Sequence, residues 1–337
     1  MVIRETHLFW IGFFLCIVIL SGCDQGNQRL DVDVSNISLA DVKIHRYDVD
    51  LFKVRKDHLR KDIESLKPEY PVFLDTDLGS PETLETLKSY LESPRTIGFH
   101  AAVDSQFRNI SALEKDLTEA LKHYLYYYPG FKVPDVYTYI SGGEYDYPVA
   151  FGDHVLVIGL DNYLGSRFKP YVSDGLPAYR MFRMEPSNII PDCMNVLGKI
   201  AYPNKLPGNN LLAQMIEAGK RLLFMEAMMP QTEKRLLIGY SKEQYDWIAK
   251  NEAHVWAAII ENRMLYTTDG KQIRTFMADG PFTAEFSKDA PARLGEWLGW
   301  QIVRQFYEKN REVTLQMVMN ETDAQKTLSN SAYKPKK

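Results

Sequence analysis

The stretch Val155 to Leu160 (Val-Leu-Val-Ile-Gly-Leu) constrains this chain more than any other, because it carries no polar side chain. A strand of that kind has no face suited to water, so other elements must cover it. Val133 to Ile140, β-branched and aromatic, reads as a second strand, and Ser141-Gly142-Gly143 reads as a turn. Apolar stripes long enough to cover such strands occur at helical spacing over 209–228, 241–262 and 290–310. Shorter helices are expected at 57–66, 80–91, 111–128, 188–201 and 321–329. Ser241 to Gln244 forms a capping box, and Ser80-Pro81 is a good helix start. Gly295 and Gly299 lie on one face of the 290–310 helix and allow a neighbouring element to approach closely. Val42 to Val54 alternates like a strand. The expected fold class is therefore α+β and mostly helical. A small sheet from about 131–160 packs against a C-terminal helical bundle, with the helices of 188–329 on one face of the sheet.

The chain's start has a different character. The apolar run from Leu8 to Leu20 follows Arg4 and falls short of the roughly 20 residues of a spanning helix. It suits the apolar region of an export signal. Leu20-Ser21-Gly22-Cys23 looks like a bacterial lipobox, so residues 1–22 are expected to be removed and Cys23 to carry the acyl chains. Residues 23–36 read as a polar lipidated tether, and 37–337 as one body with parts at 37–140 and 141–337. The expected location is the cell envelope, most simply the outer membrane facing the periplasm. Asp24 leaves the inner membrane open.

The 337 residues hold 40 basic and 44 acidic side chains, a net charge of −4. No basic footprint for nucleic acid follows from that balance. Three cysteines cannot build a disulfide framework, and Cys193 reads as a small buried hydrophobe. The seven histidines show no HxxxH pair, and no P-loop, GxGxxG or GxSxG occurs, so no metal or cofactor is expected. His154 reads as a turn residue. His254 reads as a polar group hydrogen-bonded within a helical core. Tyr126-Tyr127-Tyr128 reads as core and rim packing. Asp192, Glu217 and Glu252 are the best carboxylates for a degenerate site. Asp192 and Glu217 lie on neighbouring expected helices, and a carboxylate pair there could do acid–base work.

The segments Leu156 to Gly165, Ile190 to Met194 and Met215 to Lys220 resemble the GldB family of gliding-motility lipoproteins of Bacteroidetes. So do Gly239-Tyr240 with Trp247, Asn251-Glu252 with Trp256, Pro281 to Thr283, Pro291, Arg293 and Gly295 with Gly299, and Ser331 to Pro335. The resemblance implies an envelope lipoprotein that supports gliding motility and type IX secretion by binding protein partners. A more distant resemblance, in element order, is to zincin-type metallopeptidases. Their HExxH helix would correspond to Ile189 to Val196, which holds no histidine. It implies a catalytically dead scaffold whose cleft survives as a binding surface. Two alternatives stay open: an envelope hydrolase with an unrecognised carboxylate site, and a lipoprotein that binds nutrients or glycans.

Overall fold

A computed structural model describes residues 29–201 and 208–335. The export signal and Cys23 lie outside the described residues. Four short strands form the sheet: β1 (Ile44–Arg46), β2 (Asp135–Tyr139), β3 (Val149–Gly152) and β4 (Val155–Gly159). Their order is β1-β2-β4-β3, with β1, β2 and β4 parallel and β3 antiparallel to β4. Asp153 and His154 join β3 to β4, both at positive φ, which is the two-residue hairpin turn that matches strand twist. His154 is thus a turn residue. Among the helices of the described residues are α1 (Pro81–Glu92), α2 (Pro94–Gln106), α3 (Ser111–Tyr127), α4 (Ile189–Ala201), α5 (Leu211–Met228), α6 (Lys242–Glu261), α7 (Leu294–Lys309) and α8 (Ala324–Ser331). The protein is mostly helical α+β.

Both faces of the sheet are dry. Val136, Leu156 and Ile158 point into the larger core, with Leu117 and Leu121 of α3 and Cys193, Met194 and Leu197 of α4. Tyr137 points the other way into a smaller core with Tyr47, Ile63, Tyr70 and Leu91, and Val155 and Val157 pack against it. The N-terminal segment therefore covers the face that the sequence left unassigned. Of the C-terminal helices, α4 meets the sheet directly, against β3. In turn α5 packs on α4 and α3, and α7 runs along α5. Helix α6 packs on α7. The cover thus comes in layers, and the longest stripes lie behind the shorter α4.

Two expectations need correction at the N-terminal side. The strand expected over 42–54 stops at Arg46, and the chain turns into a helix at Tyr47–Asp50. Asp48 is the reason: it is buried, receives Arg46 at 2.7 Å and takes the Thr138 hydroxyl as well. A carboxylate so placed must be matched by these donors, and the turn brings it to them. The tether is also shorter than expected. Leu30 and Val34 are buried, and Leu30 belongs to the larger core, so residues 29–36 are packed on the body.

The α5–α7 seam is a backbone contact. A Cβ on Gly299 would overlap the Met215 carbonyl, and one on Gly219 would overlap the Gly299 carbonyl. Glycine at both positions allows an approach that any side chain blocks. Polar anchors frame the seam. Trp300 Nε1 donates to Glu226 of α5 at 2.9 Å, and Trp297 Nε1 donates to Glu252 of α6 at 2.8 Å. Among the described residues, no helix is long and apolar enough to cross a membrane.

Candidate functional site

Where β4 ends, the chain makes a single helical turn at Leu160–Asn162. Asp161 in that turn is fully buried. Its carboxylate accepts the Ser141 amide at 2.7 Å, the Ser141 hydroxyl at 2.8 Å and the Gly143 amide at 3.2 Å. The loop after β2 is thereby fixed at its base. Arg95 of α2 ties down the rest: it donates to the Gly142 carbonyl at 2.7 Å and to Asp174 at 2.6 Å. Tyr145 donates its hydroxyl to the same Asp174 at 2.5 Å. The residues that follow, Asp146 and Tyr147, form one wall of a cleft of about 330 Å³. Asp192, Asn195 and Lys199 of α4, Arg180 and Arg183, and Asn162 and Tyr163 also line it.

Asp192 is held by two partners in this cleft. Its Oδ2 accepts the Tyr163 hydroxyl at 2.9 Å and its Oδ1 accepts Arg183 at 3.0 Å. The side chain keeps 15% of its surface exposed. Burial raises the Asp192 pKa, and the Arg183 charge opposes that rise. Burial also holds the Tyr163 hydroxyl well above its ordinary range, so it remains a donor. Cys193, the next residue, is fully buried in the core, and burial pushes its thiol upward, away from the reactive thiolate.

Three buried polar atoms in this region have no hydrogen-bond partner: Asn162 Oδ1, Asn195 Oδ1 and Arg183 Nε. An orphaned buried polar group costs about 1–3 kcal/mol. Placing three around one cleft favours a ligand that supplies both donors and an acceptor. The volume lies at the small end of the usual range for ligand sites.

The three carboxylates expected to form a degenerate site are not gathered there. Asp192 lines the cleft. Glu217, on α5, is raised by burial and lowered by Lys220 and Arg221, so the charges acting on it are a different set from those acting on Asp192. Glu252, on α6, is occupied on both oxygens, by Trp297 at 2.8 Å and by the Tyr333 hydroxyl at 2.9 Å. Both oxygens of Asp192 are taken by Tyr163 and Arg183. His254 also differs from expectation: it is exposed, its ring edge-on to Phe286 at 6.1 Å. Its place on α6 turns it away from α7. Among the described residues, no three His, Cys, Asp or Glu side chains converge as metal ligands. Sequence reasoning passed over Arg183, Asn195 and the Asn162-Tyr163 pair as site residues. The pair lies in the longest of the family-like segments, the one available signal. Arg183 carried no pattern at all.

A family model described as "Gliding motility protein GldB" matches residues 27–335. No curated protein and no solved structure matches. The zincin resemblance thus gains no support.

Proposed function

The chain belongs to the GldB family of gliding motility proteins, and from that membership we propose a lipid-anchored envelope component that binds rather than catalyses. Membership carries involvement in gliding motility. The finer reading is a non-catalytic scaffold for protein partners of the gliding and type IX secretion machinery. Cys23 is its lipid attachment site, and the outer membrane facing the periplasm its location. One observation supports binding above all: both oxygens of Asp192 are held, by Tyr163 and Arg183, while the unpartnered amide oxygens of Asn162 and Asn195 are buried beside it. Such a cleft offers hydrogen bonds to a polar segment of a partner.

The alternative, an envelope hydrolase, draws on the upward direction of the Asp192 pKa, which is the direction a general acid needs. Crosslinking in native membranes followed by purification tests the scaffold. Recovery of motility or secretion proteins is expected, and their consistent absence counts against it. Asp192→Asn separates the two readings. A binding cleft keeps most of its function with the amide. Complete loss of motility rescue at unchanged abundance and melting temperature favours the hydrolase. Cys23→Ala should abolish fatty-acid incorporation, and label retained in that variant refutes the attachment site.

A further inference from the structure

The first described residue is already locked in place. Arg29 donates to the carbonyls of Tyr307 and Asn310, at the end of α7, and to Val313 at 2.8 Å. Its guanidinium lies 3.8 Å over the Tyr307 ring. A cation on the last carbonyls of a helix satisfies orphan acceptors and complements the helix dipole, so the contact is a firm one. Five residues lie between Cys23 and Arg29, so Arg29 is six steps along the chain from it. Fully extended, that length of chain reaches about 20 Å.

The cleft belongs to the other end of the same helix. Arg293, the residue before α7, pairs with Asp279 at 3.2 Å, and Asp279 lines the cleft. From Arg293 to Asn310 the helix axis covers about 25 Å. The tether is therefore rooted at the end of α7 opposite the cleft. Two large apolar side chains stand exposed in the region of Arg29. Tyr127 donates to the Leu30 carbonyl at 3.5 Å, and the ring of Tyr126, 45% exposed, stands edge-on to Tyr127 at 5.0 Å. Gln316 donates to the Tyr127 carbonyl, and its neighbour Met317 is 54% exposed. Charges of both signs surround them: Lys309 and Arg311 with Glu308 and Glu312 at the end of α7, and Arg29 with Asp31 beside Tyr127. A tyrosine among mixed charges suits the boundary between lipid headgroups and acyl chains.

We propose that the Arg29 end of α7, with Tyr126 and Met317, is the face that lies on the bilayer, and that the cleft is held at the opposite end, turned away from it. This rests on Cys23 being the acylated residue. The cleft's ligand is then a soluble or protein segment reaching in from the aqueous side, and lipid headgroups of the anchoring membrane do not enter it.

The test uses the mature acylated protein in phosphatidylethanolamine–phosphatidylglycerol vesicles containing a nickel-chelating lipid. Nitroxide labels are placed singly at Tyr126→Cys, Met317→Cys and, on the cleft wall, Tyr147→Cys; the buried Cys193 stays unlabelled. Relaxation by the headgroup nickel should be severalfold stronger at positions 126 and 317 than at 147. Equal or reversed relaxation, with the acyl mass present on Cys23, overturns the orientation alone. Absence of the acyl mass from Cys23 overturns the orientation together with the attachment site.

Discussion

The α5–α7 seam and the Asp192 cleft handle buried polarity in opposite ways. In the seam, backbone meets backbone at Gly219 and Gly299, and the indoles of Trp297 and Trp300 each find a glutamate on a facing helix. Glu226 Oε1 and Arg304 Nε, which make no hydrogen bond, are held in ion pairs with Lys234 and Glu226. In the cleft, Asn162, Asn195 and Arg183 each keep a buried polar atom without a partner. The first arrangement suits permanent structure. The second leaves hydrogen-bonding capacity in reserve, which is useful only if something else comes to use it.

The hardest blow to this contrast should come from Gly299→Leu. Its side chain has no room against the Met215 carbonyl, so α5 and α7 must separate. The expected loss is about 3 kcal/mol or more, at the upper end of overpacking costs, read as the urea midpoint. A variant that melts at or above the parent temperature would mean the seam is not tight. Next comes Glu252→Ala, which leaves the Trp297 and Tyr333 donors without their acceptor. A loss of about 1–3 kcal/mol is expected from denaturant unfolding. No change would show that these bonds contribute nothing net.

Acid should act on the seam's margin. Glu296 is buried; burial alone would raise its pKa, but Arg221 at 2.9 Å and Arg293 at 3.6 Å outweigh burial and hold it below the usual range. A carboxylate whose pKa is lower folded than unfolded adds stability that is complete above the unfolded value, about 4.3, and is lost as pH falls through the folded value. Glu296→Gln should therefore flatten the acid limb of a stability-against-pH curve. An unchanged limb would place the acid sensitivity elsewhere.

The cleft should respond weakly. Asp192→Asn keeps one acceptor for its two donors, and a stability change of about 1 kcal/mol or less is expected in thermal unfolding. A much larger loss would make the cleft as structural as the seam. Smallest of all is Gly98→Ala on α2, where an added Cβ meets nothing within 4 Å. A gain of about 0.5–1 kcal/mol is expected, the opposite sign to Gly299 on the same type of element. A destabilised Gly98→Ala would show that helical propensity, rather than space, is the wrong basis for comparing the two glycines.

Local chemistry was well expressed in the chain. The capping box was visible because its partners are three residues apart: Ser241 accepts the Gln244 amide at 3.1 Å, and Gln244 accepts the Ser241 amide at 3.0 Å. The glycines of α7 were visible for the same reason of short spacing. Boundaries set by less regular contacts were missed. Helix α7 starts at Leu294 rather than 290, because Thr283 holds Ala290 and Pro291 through their backbone and Arg293 sits in the left-handed region. Helix α8 starts at Ala324 rather than 321, where Asp323 caps it through the Lys326 amide at 2.9 Å. The cleft was barely legible, since its walls come from residues near 146, 163, 183, 195 and 279.

What the sequence determined alone was the strand at 155–160, the periods and caps of the long helices, and membership of the GldB family. All of these depend on neighbours within a few positions or on a pattern repeated along the whole chain. Tertiary structure alone decided which charges stay partnered. Trp300 reaches Glu226, Arg29 reaches Val313, and Asp192 settles on Arg183. A buried charge must find a partner wherever the packed chain brings one, because low dielectric makes an unmatched charge costly. That requirement acts through space, and nothing in the local order of residues records which partner will be met.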